Sequence, residues 1–138
     1  MSSRGREALD RLEIHELRAA YSRAIDEENY ERAHEVFTDD AVVRYRGRDV
    51  HGSDEVYEYW RDEVEYEFSM HTVQMPEIDI DGDKATGKWY MLVFYVAPDE
   101  TEGHVMGWYK DEYRRDGGEW KIAEMDMEIE HDTGGYHV

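Results

Sequence analysis

Apolar residues recur at three- and four-residue steps from Arg6 to about Asp26, at Leu9, Leu12, Leu17, Ala20, Tyr21 and Ala24. That spacing predicts an amphipathic helix with one apolar face. Tyr21 lies on that face and points at the core. Asp26 follows five residues later, about 140° away around an ideal helix. The two converge only if the helix ends or tightens near Asp26, and Glu27-Glu28-Asn29 is the expected break. A short second helix follows from Tyr30 to Phe37, with Ala33, Val36 and Phe37 inward. Thr38-Asp39-Asp40 reads as a turn and Ala41 to Arg46 as a strand. Gly47 and a short extended piece lead to His51-Gly52. Ser53 is a predicted N-cap, with Asp54 and Glu55 in the first turn of a third helix. That helix runs to about Glu65 and turns Val56, Tyr59, Trp60 and Val64 inward.

Beyond it the period changes to two. Ile78 and Ile80 alternate with Asp79 and Asp81, the mark of a half-buried strand. Asp81-Gly82-Asp83 turns the chain. The return arm, Trp89 to Val96, is apolar almost without a break, which predicts burial on both faces, in a core on one side and under a helix or a partner subunit on the other. Ala97-Pro98-Asp99-Glu100 ends that arm, and Gly103 to Arg115 makes the next strand. Asp116-Gly117-Gly118 turns again. Glu119 to His131 is the last strand, with Met125, Met127 and Ile129 on one parity and acids on the other. Helices first and long strands afterwards predict an α+β protein. Its curved antiparallel sheet forms a cone, with three helices from the N-terminal half packed on the concave face. We expect one domain over 1–138, with a core at about 9–131 and a loose tail at 132–138.

Composition narrows the function. Sixteen Lys and Arg against 35 Asp and Glu give a net charge of −19, and only four of the basic residues are Lys. A field of that sign repels nucleic acid and anionic membrane. Spread over the whole chain, with Lys so rare, it suggests adaptation to a salty cytoplasm, where screening relieves self-repulsion. The absence of cysteine excludes a disulfide scaffold, a zinc finger and thiol catalysis. No apolar run reaches the roughly 18 residues of a membrane span. The N-terminus enters a charged helix without an apolar signal region, so a cytoplasmic location is expected.

His71 is the chemical candidate. It sits between Met70 and Thr72, with Val73 and Met75 on its own parity, so an imidazole points into an apolar interior. Such a group needs a partner or a task. A lone buried His is more often structural than catalytic, and Tyr21 and Asp26 taken singly are a core aromatic and a helix-end residue. His104, on the neighbouring strand, is a weaker candidate for substrate contact, its parity left open by a bulge near Gly103. Trp89 and Met125 are weaker candidates too, as lining of an apolar pocket for a ring-containing ligand. His15, His34, His51, His131 and His137 sit in polar surroundings. No metal-ligand spacing is present, and Asp79 to Asp83 lacks the flanking helices and late glutamate of a calcium loop.

FTDDAVVRY after the second helix and GEWKIAEM on the last strand resemble the SnoaL-like branch of the nuclear transport factor 2-like superfamily, whose fold is the cystatin-like cone. SMHTVQMPEIDIDGDKATGKWY, and YSRAID with Tyr21 and Asp26 in register, are similar to bile acid 7α-dehydratases and, more distantly, to scytalone dehydratases. The resemblance covers about Leu9 to His131. It implies that Tyr21 bonds a substrate carbonyl, that Asp26 pairs with the histidine and that His71 is catalytic. It implies no cofactor, a small cyclic or polyketide-like carbonyl substrate, and a homo-oligomer, with a trimer favoured over a dimer. Two positions depart from the bile acid enzymes. Their carboxylate falls on Val93, and their late arginine has no counterpart after Arg115. Both losses argue against a bile acid substrate. They also keep open a second function class, a ligand-binding or assembly domain that retains the cone without the reaction.

Overall fold

The computed structural model describes residues 1–134. Helix α1 spans Ser3–Asp26, with the Ser2 hydroxyl accepting from Gly5 N at 3.0 Å as its cap. A 3-10 turn at Tyr30–Arg32 leads into the single turn of α2, Ala33–Val36. Strands β1 (Phe37–Tyr45) and β2 (Arg48–His51) precede α3, Gly52–Glu63. Four long strands complete the chain: β3 Phe68–Asp81, β4 Lys84–Val96, β5 Glu102–Asp116 and β6 Glu119–Asp132. They form one six-stranded sheet in the order β2-β1-β6-β5-β4-β3. All neighbours are antiparallel except β1 and β6, which run parallel. The fold is the expected α+β cone, with α1 lying along β3 and α3 along β1.

Several local expectations change. Thr38-Asp39-Asp40 continues β1 instead of turning. A register shift against β6 between Phe37 and Val42 absorbs its polar residues. Ser53 does not cap α3; its hydroxyl lies 3.3 Å from His34 Nδ1, and the helix begins at Gly52. On α1, Leu12 faces solvent, whereas Asp10, Ile14, Arg18 and Ser22 share the buried face with Leu17, Tyr21 and Ala24. The inward charges are tolerated because each is paired, Asp10 with Arg115 and Arg18 with Asp111. Of the 132–138 tail, Asp132 closes β6, and Thr133 Oγ accepts from His104 N at 3.0 Å. Gly134 O accepts from the Tyr95 hydroxyl. The rest of that tail, with His137, lies outside the described residues.

Within the single chain, the Trp89–Val96 arm is covered on one face, and among the described residues no helix lies over the other. Trp89, Met91, Val93 and Tyr95 are buried, while Tyr90, Leu92 and Phe94 are exposed on the outer face. Next to them on that face are Met70 and Met106, cross-strand from Phe94 and Leu92 respectively. An outward apolar row is invisible to periodicity when the inward row is apolar as well.

Candidate active site

The site begins where α1 stops. Asp26 is the last helical residue, and Glu28 takes φ 56°. Asn29 N then reaches Ala24 O at 2.9 Å and Glu28 N reaches Ile25 O at 3.1 Å, the paired bonds of a Schellman cap. This stop leaves Asp26 in the final turn, facing β3. There its carboxylate is fully engaged. Oδ1 accepts from Ser69 Oγ at 2.8 Å and lies 2.7 Å from His71 Nδ1, while Oδ2 accepts from His71 N at 2.9 Å. A carboxylate accepts only, so Nδ1 carries the proton and Nε2 is left with its lone pair. Nε2 lies on the far side of the ring from Asp26. It is buried and has no hydrogen-bond partner among the described residues. The Tyr66 ring stands edge-on to the imidazole at 6.3 Å.

A bulge holds His71 to this duty. Between Gln74 and Glu77 the β3–β4 register slips, and Met75 takes φ 52°. The bulge lets His71 and Ile78, of opposite parity, both face inward, and it throws Met75 out to 73% exposure. Met75 therefore does not share the inner face that its spacing from His71 predicts. Directly opposite His71 in the register is Val93, and opposite Val93 is Val105, both fully buried.

Tyr21 sits in an aromatic cluster. Its hydroxyl lies 2.7 Å from the Tyr45 hydroxyl, and the Tyr45 hydroxyl accepts from Trp60 Nε1 at 2.9 Å. The rings of Phe37, Trp60 and Tyr109 stand edge-on around it at 5.5–6.0 Å. Burial pushes the Tyr45 phenol well above its usual range, against the opposing effect of its hydrogen-bonded neighbours Tyr21 and Trp60. Asp26 and His71 border a cleft of about 560 Å³ between α1 and β3, shared with His15, Ser22, Val73 and Trp89. The Trp89 indole N–H donates to the Tyr113 hydroxyl at 2.8 Å. A hollow of about 630 Å³ near Arg6, Asp83 and Gly118 is bordered by the paired Asp10 and Arg115, and its lining includes no histidine.

Two weaker candidates are corrected. His104 falls on the outer face, cross-strand from Phe94, with its ring 5.7 Å from that of His131. The bulge that left its parity open lies between Met106 and Gly107, not at Gly103. Met125 is fully buried in the core, opposite Val43 and Asp111, away from the cleft. Among the described residues no group of three or more His, Asp or Glu is placed to hold a metal ion.

One cluster was missed. Arg18, fully buried, donates to both Asp111 oxygens at 2.7 and 2.5 Å. Its guanidinium lies over the Tyr109 ring at 3.9 Å and the Tyr21 ring at 4.7 Å. Burial disfavours its charge, but Asp111 reverses the balance and holds its pKa above the usual range. Nothing in the spacing of Arg18 distinguishes it from a solvated helix arginine. The one available signal was its three-residue step to Tyr21.

The sequence pattern of the SnoaL-like domain matches residues 6–126. The chain belongs to the SnoaL-like family. An uncharacterised Mycobacterium tuberculosis protein, Rv2910c, is 33% identical over 125 residues, covering 84% of this SnoaL-like chain and 82% of that protein. Among solved structures, a hexachlorocyclohexane dehydrochlorinase (LinA type 2) superposes with TM-score 0.86 at 19% identity, over 96% of this chain and 94% of that one. A Novosphingobium aromaticivorans protein described as a scytalone dehydratase superposes with TM-score 0.85 at 20% identity, over 96% and 91%. At such identities the superpositions establish the SnoaL-like fold and leave the chemistry to the side chains.

Proposed function

We propose that the protein is a cofactor-independent lyase or isomerase that removes a proton next to a carbonyl of a small cyclic or polyketide-like compound. The observation that carries this is the Asp26–His71 dyad, with its protonated Nδ1 held by a carboxylate and its Nε2 lone pair buried and unclaimed among the described residues. Nε2 takes the proton, and the C–H electrons form an enolate. Asp26 balances the imidazolium that results. The phenol cluster that includes Tyr21 supplies the donor for the enolate oxygen. In a dehydration the enolate re-forms the carbonyl and a carbon–carbon double bond, and the bond to the β-hydroxyl breaks. The imidazolium returns its proton to that hydroxyl, and water leaves. The reaction so written needs neither metal nor organic cofactor. With Val93 opposite His71, no carboxylate is available at that position to protonate the leaving group, so the imidazolium has to do it. Neighbours named as a dehydrochlorinase and a scytalone dehydratase are in keeping with elimination on this fold.

A ligand-binding domain without turnover is the second function class. The aromatic packing around Tyr21 and the apolar Val93 favour it. Screening hydroxy-ketones and enones for turnover separates the two. The dyad predicts activity that His71→Ala abolishes while the protein stays folded. Activity that survives His71→Ala would remove the dyad as the base.

A further inference from the structure

The proposed function requires a donor for the enolate oxygen, and the hydrogen bonds indicate which phenol provides it. Trp60 Nε1–H can only donate, so the Tyr45 oxygen accepts it at 2.9 Å. If Tyr45 also accepted from Tyr21, its own buried proton would be stranded, at a cost of about 1–3 kcal/mol. The satisfied arrangement has Tyr45 donating to Tyr21 across 2.7 Å. The Tyr21 proton is then directed onward. The Tyr21 ring meets the Tyr109 ring at 5.6 Å, and Tyr21 acts on the Tyr109 hydroxyl so as to favour its ionised form. The Tyr109 hydroxyl itself is buried and makes no well-formed hydrogen bond among the described residues. It is the end of the row, with a proton to give.

The geometry points to Tyr109 as the phenol that donates to the substrate oxygen, with Tyr21, Tyr45 and Trp60 lined up behind it and the Arg18 guanidinium beneath its ring. Arg18 is a positioning residue in this scheme. A cation 3.9 Å from the ring centroid stabilises negative charge on the phenol, and Asp111 fixes it there with two bonds. Burial raises the Tyr109 pKa most, to about 12; Arg18 and Tyr21 act to lower it, and Asp111 and Asp26 to raise it. The phenol therefore stays protonated at neutral pH, as a donor must. This inference rests on the enolate chemistry proposed above, but it predicts a site that holds an oxyanion whether or not His71 turns a substrate over.

The probe is 2-naphthol, whose naphtholate is a flat stand-in for an enolate, titrated above its own ionisation. Tyr109→Phe should weaken naphtholate binding on the order of 100-fold, the usual loss for one oxyanion donor. Tyr21→Phe acts only through Tyr109 and should cost about 10-fold or less, and Tyr45→Phe less again. The charge-free pair Arg18→Met with Asp111→Leu should weaken naphtholate but leave neutral 2-methoxynaphthalene unchanged, which a purely structural brace would not do. In the unmutated protein carrying ¹³Cζ-tyrosine, the Tyr109 signal should move most when naphtholate is added. That result stands even if a variant fails to fold. Three results would overturn the inference: no binding by the wild type, Tyr109→Phe binding like the wild type, or a larger loss from Tyr21→Phe than from Tyr109→Phe. Naphtholate binding kept in His71→Ala while turnover disappears supports donor and base as separate parts. Unaltered turnover in His71→Ala with binding lost in Tyr109→Phe removes the base alone and keeps the donor.

Discussion

Asp10 shows what a single charge does in this fold. It sits almost fully buried on α1, 3.1 Å from both terminal nitrogens of Arg115 and 3.2 Å from Trp120 Nε1. Burial acts to raise its pKa, yet the bonds from Arg115 and Trp120 outweigh that and hold it below the usual carboxylate range. A carboxylate whose folded pKa is depressed contributes stability above its unfolded pKa, about 4, and loses it as pH falls through the folded value. Asp10→Asn should therefore cost about 1–3 kcal/mol near neutral pH, and the gap to wild type should close below about pH 4. Chemical denaturation at pH 7 and pH 3 checks this; an equal gap at both would contradict it. Neither Asp10 nor Arg18 was legible as buried in the sequence, because a charged residue inside a helix pattern reads as solvated until its partner, far along the chain, is placed. His71 was legible, because an imidazole set among apolar neighbours on a strand has few other readings.

At the scale of elements, the end of α1 does most to build the site. Glu27-Glu28-Asn29 was legible as a break, and the break is what turns Asp26 towards β3. Its cap places a glutamate, Glu28, at φ 56°, in the left-handed region where a side chain costs roughly 1–2 kcal/mol. Glu28→Gly should keep the cap and raise stability by up to about 1 kcal/mol, with the Asp26–His71 pair intact. A loss of stability in thermal melts would show that the Glu28 side chain contributes more than its backbone strain costs. The long strands and the hairpin turns at Gly82 and at Gly117-Gly118 followed from alternation and glycine. The bulge at Met75 did not. Extra residues in a strand leave the sequence pattern unbroken and appear only when the partner strand fixes the register.

At the scale of the molecule, the outer face of the sheet and the net charge remain to be explained. Tyr90, Leu92, Phe94, Met70 and Met106 make a connected apolar row on strands β3, β4 and β5, 39–56% exposed in a single chain. Burying it would stabilise an assembly by about 25 cal/mol per Å² of apolar surface. We propose that copies of the chain cover it, as a trimer in preference to a dimer. The charge of −19 opposes that association in dilute buffer and is screened within about 3 Å at molar salt. Light scattering and melting across a KCl series should give a multiple of the 16.4 kDa chain at high salt, with a melting temperature that rises with KCl. A mass of one chain at molar KCl would sink the oligomer, and a flat melting temperature would sink the salt adaptation.

The central claim is that Asp26 and His71 act together as a base, and Asp26→Asn tests it most directly. The amide is almost the size of the carboxylate, so the fold should persist. It can, however, hold the wrong imidazole tautomer, and it cannot balance an imidazolium. Melting temperature and turnover of a hydroxy-ketone or enone identified by the screen are to be measured on the same samples. The dyad predicts a folded Asp26→Asn protein whose turnover falls by several orders of magnitude, on the order of 10⁴-fold. A folded, fully active Asp26→Asn protein would leave His71 as a structural histidine and contradict the account.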